Sequence, residues 1–286
     1  MFGNIIRTFR VNNGLSQTNF VDAIQRSNFN FNNLDVVTLS RWERGITTPH
    51  LKRQNELLDL IGVNIFDVWE THHSQLFIGK ITNKINNNGY LDMSENINIE
   101  VIIINSNNLY IVKGISNLID VIFEYEDNLI FDNFEVLGFS RQSIIEKIIN
   151  QYSGELTLVV SNGQLIGHLL SSNFLLANDY LEKFVGFGDE RAHLIITFNC
   201  THYSSFNDTM AREAYKYIQN LNPKTVLYVF VKNKKMFDLF FSLGFDYRSI
   251  RNQGKTMKVM NLESKKMKSQ RVWMDIITNY KGKFNE

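Results

Sequence analysis

The stretch Thr38-Leu39-Ser40-Arg41-Trp42-Glu43-Arg44-Gly45 carries side chains suited to polar recognition. The hydroxyls of Thr38 and Ser40 and the guanidinium groups of Arg41 and Arg44 can donate to base edges or phosphate oxygens. Leu39 and Trp42 lie three apart, so on a helix they share a face and bury together, which leaves the polar residues on other faces. A second reactive-looking stretch runs from His193 to Thr209 and contains Cys200, His202, Tyr203 and Asn207. Two histidines and a cysteine there lack the compact spacing of a metal site, and no metal is expected. Cys200 reads as a small apolar residue at a strand end, and His168 as a hairpin residue rather than a base.

The elements that must position the first stretch are legible. Phe2, Ile5, Ile6 and Phe9 recur at helical spacing. Ser16 suits the N-cap of a second helix with Phe20, Val21 and Ile24 on its apolar face. Asp35 suits the N-cap of the helix that carries Thr38, and Gly45 suits the left-handed position at its end. Pro49 opens a further helix with Leu51, Leu57, Leu58 and Ile61 inward, ending near Gly62.

This succession, with Leu15-Ser16-Gln17 and Ser40-Arg41-Trp42-Glu43-Arg44-Gly45 in order, resembles the Cro-type (XRE-family) helix-turn-helix domain over about the first seventy residues. The resemblance implies double-stranded DNA as partner. It places Thr38 and Arg41 at base edges, Gln17 and Ser40 in support, and Arg44, Lys52 and Arg53 at phosphates, with Asp35 capping the reading helix. It also implies that Arg7 or Arg10 pairs structurally with Glu43. Arg26–Asn33, rich in Asn and Phe, lengthens the turn between the second and third helices into an ordered wing or an adapted turn.

Bulk properties limit the function classes. The 286 residues allow about two domains, each with its own core. With 44% hydrophobic and 13% aromatic residues the chain is a folding one. A formal charge of +1 excludes whole-molecule attraction to a polyanion. Arg7, Arg10, Arg26, Arg41, Arg44, Lys52 and Arg53 are matched by seven acids in the first seventy residues, so any nucleic-acid footprint is small. Cys200 is the one cysteine, which precludes an internal disulfide and suits a reducing compartment. Neither a signal peptide nor an apolar run of about 18 residues is present, so the expectation is a cytoplasmic protein without a membrane partner.

After Trp69 the texture turns to strands: Gln75–Ile85, Asn98–Asn105 and Asn108–Lys113, with turns at Asn86–Gly89 and Asn105–Asn108. Further on, Leu156–Val160 and Gln164–Ser171 flank an Asn162-Gly163 turn as a β-hairpin. A strand at Ala192–Cys200, a helix at Thr209–Leu221, a buried strand at Val226–Val231, a helix at Met236–Ser242 and a final hairpin to Leu262 follow. Trp273, Ile276 and Ile277 suggest a short C-terminal helix after the basic Lys265–Arg271.

That order, with Leu165-Ile166-Gly167-His168, Val226–Val231 before Asn233, and Leu239–Phe245 ending in Gly244-Phe245, resembles the GNAT acetyltransferase fold from about Leu109 to Leu262. The resemblance places a pyrophosphate-binding Gly-rich loop at Ser204–Thr209, but Asn207 and Thr209 occupy the glycine positions and Asp208 adds a negative charge. Phe240 stands where the family's proton-donating tyrosine would be, and the strand Ala192–Cys200 holds no carboxylate. The resemblance therefore implies a GNAT-shaped domain that assigns no catalytic residue and requires no cofactor. A ligand cleft at Cys200, His202, Tyr203, Asn207, Thr209, Asn233 and Phe240 stays open, with acyl-CoA as the one cofactor to consider.

The fold class expected is multidomain: an all-α helix-turn-helix domain at 1–71, a strand-containing connector at 72–108, an α/β GNAT-like domain at 109–263 and a basic tail or helix at 264–286. The function expected is a sequence-specific transcriptional regulator, acting as a homodimer and answering to a small-molecule or protein effector. An active N-acyltransferase carrying a DNA-binding module, and a protein-capturing regulator of antitoxin type, are the alternatives.

Overall fold

The computed structural model describes residues 2–69, 98–125, 128–173, 192–219, 225–231, 234–252 and 255–282. It divides into two compact units, Met1–His72 with Lys268–Thr278, and His73–Met267 with Asn279–Glu286. The expected strand at 75–85 and turn at 86–89 lie outside the described residues.

The first unit is helical: α1 (Phe2–Asn12), α2 (Gln17–Ser27), α3 (Val36–Glu43), α4 (Leu51–Leu60) and α5 (Ile65–Val68). Side-chain caps fix the starts, because the first amides of a helix lack intrahelical acceptors. Ser16 Oγ accepts from Asn19 N at 3.0 Å, Asp35 Oδ1 from Thr38 N at 2.5 Å, and His50 Nδ1 from Arg53 N at 3.3 Å. The last cap starts α4 at Leu51, two residues beyond Pro49. Ile6, Phe20, Phe31, Leu34, Leu39 and Leu57 form a core that excludes water almost completely.

Of residues 26–33, the first two complete α2 and the rest form an adapted turn. Asn28 Oδ1 accepts from Asn30 N at 3.0 Å and starts a single 3-10 turn, Phe29–Phe31. Phe31 is buried in the core while Phe29 is 83% exposed. Gly3 allows α1 to approach α3 closely: a Cβ there would lie 2.0 Å from the Trp42 carbonyl oxygen. In the C-terminal part of this unit Trp273, Ile276 and Ile277 are buried, and Trp69 Nε1 donates to Asp275 Oδ1 at 3.0 Å. The basic segment is drawn into structure rather than left as a tail, with Lys268 Nζ 3.7 Å from Asp59 and the helix Arg271–Gly282 following.

In the second unit the described strands form one sheet in the order β1-β2-β3-β4-β5-β7-β6. They are β1 (Ile99–Ile104), β2 (Gly154–Ser161), β3 (Gln164–Asn173), β4 (Ala192–Cys200), β5 (Val226–Val231), β6 (Asp246–Asn252) and β7 (Lys255–Glu263). Only the β4–β5 neighbours are parallel. The sheet begins at Ile99, inside the segment read from sequence as a connector. Asn162 and Gly163 have φ of 50° and 77°, the doubly left-handed turn whose twist matches a two-residue hairpin.

Asn108–Lys113 is not the strand expected. Asn108 Nδ2 donates to the Ile103 carbonyl at 2.8 Å and its Oδ1 accepts from Asn105 N at 2.8 Å, which turns the chain into a 3-10 helix at Leu109–Ile115.

Helices Ser116–Tyr125, Leu129–Val136 and Arg141–Gln151 cover one face of the sheet, where Ile144 and Ile148 meet Leu156, Leu158, Leu170 and Leu194. Glu155, Thr157 and His193 alternate with these residues and meet the helical run that starts at Tyr203 on the other face.

Candidate functional site

The outer surface of α3 is built by subtraction. Leu39 and Trp42 are buried, and Glu43 is buried against three donors from other helices. Arg10 Nε and Nη2 reach its two carboxylate oxygens at 2.6 and 2.9 Å, and Gln17 Nε2 donates to Oε2 at 2.7 Å. Burial works against the charge of Glu43, but the hydrogen bonds from Arg10 and Gln17 and the charge of Arg10 outweigh it and hold its carboxyl below the usual range. Arg41 and Arg44 remain exposed, with Thr38 and Ser40 half-buried. Arg44 Nε donates to the Ser40 carbonyl at 3.2 Å, and Gly45 closes the helix at φ 69°.

Of the residues expected at a DNA surface, Gln17 and Arg53 have inward roles, and Asp35 is the exposed cap expected. Gln17 is committed to Glu43. The Arg53 guanidinium lies 5.2 Å from the Phe31 ring centroid and 5.6 Å from that of Trp42, so it stacks over the core instead of reaching outward. Asp35 acts on its own helix through Thr38 N. Lys52 stays exposed at the start of α4.

The second candidate region follows from a defect in the sheet. Leu170 pairs with Thr197 and Ser171 with Ile195, so Ile196 is an extra residue in β4, a β-bulge. Its carbonyl, left over by the ladder, accepts from the buried Asn128 Nδ2 at 2.8 Å. The pairing of β4 with β5 runs from Ala192–Val226 to Ile195–Val229 and stops there. Beyond this point the two strands continue without a shared ladder.

Aromatic rings pack where the strands part. Phe198 meets Phe206 and Phe240 edge-on at 6.1 and 5.7 Å, and Phe240 meets Phe245 at 5.1 Å. Phe240 is 1% exposed, so it is core rather than a cleft wall. Cys200 is fully buried, its thiol pushed up by burial and therefore unreactive as a nucleophile.

The segment read as a phosphate loop is helical. Helix Tyr203–Phe206 runs into a π segment at Asn207–Ala211 and then into helix Arg212–Gln219. Phe206 N donates to the His202 carbonyl at 3.0 Å, and the Asn207 amide bonds back to Ser204 and Tyr203, so these amides do not form an anion cradle. Thr209 Oγ1 donates to the Ser205 carbonyl at 2.6 Å, Tyr203 stacks on Phe206, and the His202 amide donates to Ser205 Oγ at 3.2 Å. Asn207 is 4% exposed, with its side-chain oxygen lacking a hydrogen bond. Asn233 lies outside the described residues. The residues present do not fit the pyrophosphate of acyl-CoA.

One cluster escaped sequence reasoning. His193 Nε2 lies 2.6 Å from Glu213 Oε1, Lys216 Nζ lies 3.3 Å from Glu213 Oε2 and 3.0 Å from Glu155, and Arg212 bonds Glu155 and Thr157. Burial opposes ionisation of Glu213, but the His193 hydrogen bond and the charges of His193 and Lys216 prevail and hold its carboxyl far below the usual range. Glu213 is 1% exposed, so this network joins the helical run to the sheet rather than facing a substrate. Twenty residues separate His193 from Glu213, and no local spacing signals the pair. Among the described residues no group of ligating side chains is arranged to hold a metal, and no helix is long and apolar enough to cross a membrane.

No protein-family model matches the chain, and no curated protein matches it. Solved structures do. An uncharacterized protein from Bacillus halodurans is similar at 13% identity over 65% of this chain and 93% of that one, with a TM-score of 0.41. An N-acetyltransferase from Staphylococcus aureus Mu50 is similar at 13% identity, over 58% and 98%, with a TM-score of 0.37. FeeM, an N-acyl amino acid synthase from uncultured soil microbes, is similar at 12% identity, over 59% and 92%, with a TM-score of 0.38. Among the described residues, the mixed seven-stranded sheet with its helices is consistent with the α/β architecture expected of a GNAT-like domain.

Proposed function

We propose that the chain is a sequence-specific DNA-binding regulator of the helix-turn-helix kind, with α3 as its reading helix. One observation carries this: burial of Leu39, Trp42 and Glu43 leaves Thr38, Ser40, Arg41 and Arg44, beside the exposed Val37, as the outward side of a short, doubly capped helix. A guanidinium at Arg41 can reach a guanine O6 and N7 together, and Thr38 can meet a neighbouring base. Arg44 and Lys52 take phosphates, while Gln17 and Arg53 support α3 from behind. Helices of this kind act in pairs on half-sites about one turn of DNA apart, so a homodimer is the expected assembly. The GNAT-like unit supplies the dimer surface or an effector site. Selection of duplexes from a random pool by the full chain tests the reading. Enrichment of one palindromic sequence supports it, and recovery of unselected sequence would end it.

A second reading, an N-acyltransferase with an attached DNA-binding module, is favoured by the parting of β4 and β5 beyond Ile195. The helical Ser204–Thr209 and the aromatic packing of Phe198 and Phe240 oppose it. Acetyl-CoA that binds only the folded chain at a hundredfold excess over its Kd would stabilise it by about 2.7 kcal/mol. A thermal shift of that size revives the enzyme, and a flat titration removes it.

A further inference from the structure

We infer that the helical unit contains a binding site for a small, uncharged, flat aromatic molecule behind α3. A solvent-open pocket of about 220 Å³ lies between α1, α3, α4 and α5. Three rings line it, Phe2, Trp42 and Trp69, together with aliphatic Leu58 and Ile65. None of its lining residues carries a charge, so a charged guest would lose hydration without a partner. An enclosed cavity of about 150 Å³ holds benzene, so this pocket, which is open on one side, has room for one ring or two fused rings.

The walls are held in place independently of any guest. Phe2 and Trp42 meet edge-on at 6.2 Å, Trp69 is fixed by its hydrogen bond to Asp275, and Gly3 brings α1 against the Trp42 carbonyl. At the rim, Gln54 Nε2 donates to the Pro49 carbonyl at 2.8 Å, which leaves the amide oxygen as the acceptor for one N–H or O–H on the guest. Trp42 and Arg41 are neighbours on α3, so a guest touches the back of the helix proposed to read DNA. The link to DNA rests on that proposal, whereas the site does not.

The test uses 5-fluoroindole with the full chain, followed by 19F line broadening. Saturable broadening is expected, and about tenfold weaker binding when the cavity is filled from its rim by Thr48→Trp or from α1 by Ile5→Trp. Phe241→Ala, at an exposed ring of the sheet unit, is expected to bind as the parent does. Two filling variants keep the test decisive should one fail to fold. Absence of saturable broadening, or equal broadening in both folded filling variants, overturns the site. With a selected duplex, 5-fluoroindole should shift the Kd of the parent but not of Thr48→Trp. An unmoved Kd with guest binding intact overturns the coupling alone, and absence of any duplex binding counts against the regulator reading, not the site.

Discussion

The helical unit and the sheet unit each bury a carboxylate among side-chain hydrogen-bond partners, and they use it differently. In the helical unit Glu43 gathers Arg10 and Gln17 from α1 and α2 and leaves the other side of α3 facing outward. In the sheet unit Glu213 gathers His193 and Lys216 and pins a helix onto the strands, while Phe198, Phe206 and Phe240 pack where β4 and β5 part. One unit frees a polar surface, and the other fills the place where a cleft would be. A fold gives the backbone; which polar groups remain outward decides what each backbone is able to do.

Among the substitutions, the largest expected effect at neutral pH breaks the first carboxylate site. Arg10→Met leaves Glu43, 5% exposed, with Gln17 alone and should cost about 3 kcal/mol, the low end for an orphaned buried charge because Arg10 keeps some water contact. Urea unfolding followed by tryptophan fluorescence isolates this loss, because Trp42, Trp69 and Trp273 all belong to the first unit. A variant as stable as the parent would show the network to be dispensable.

Acid separates the units. His168 is fully buried, with Nε2 2.9 Å from Thr197 Oγ1, and burial pushes its pKa down to about 3. The unfolded chain takes up this proton near pH 6.5 and the folded chain does not. Stability of the sheet unit therefore falls as pH drops below 6.5, by about 1.4 kcal/mol per pH unit until pH nears 3. His168→Gln should remove that slope from the unfolding curve read by far-UV circular dichroism. Glu43 is held low, so its contribution is complete above the ordinary carboxylate range and is lost only as pH falls through it. The tryptophan signal should accordingly stay level at pH values where the sheet unit already weakens. Parallel acid responses would contradict the distinction.

Two glycines sharpen the comparison at smaller cost. A Cβ on Gly3 meets a backbone carbonyl at 2.0 Å, and one on Gly167 meets Ser205 Cβ at 2.9 Å. Gly3→Ala and Gly167→Ala should each cost about 1–3 kcal/mol, with Gly3 the more costly because backbone yields less than a serine side chain. Equal stability of both variants with the parent would mean that the packing relaxes freely.

Much of this fold was legible because its signals are local. β4 and β5 begin and end at the residues that their apolar runs mark, Asn162-Gly163 makes the expected turn, and Ser16 and Asp35 cap as their types suggest. What stayed hidden depends on distant partners. Asn128 satisfies a bulge 68 residues away, His193 meets Glu213 through the fold, and Gly3 matters only because Trp42 crosses it. Asn108 looked like the start of a strand until its amide closed on Ile103. At the candidate surfaces, the exposure of Arg41 and Arg44 was legible from type and spacing. The inward turn of Gln17 and Arg53 was not, since an amide or a guanidinium looks the same in sequence whether it faces solvent or a core.

Fluorescence anisotropy of Arg41→Ala and Lys52→Ala on a selected duplex, over a series of salt concentrations, tests the account most directly. Arg41→Ala should weaken binding by about 1–3 kcal/mol and relax the choice of base at one position. Lys52→Ala should weaken all sequences alike and lower the salt slope by about one. Unchanged affinity and sequence choice in Arg41→Ala would contradict the assignment of α3 as the reading helix.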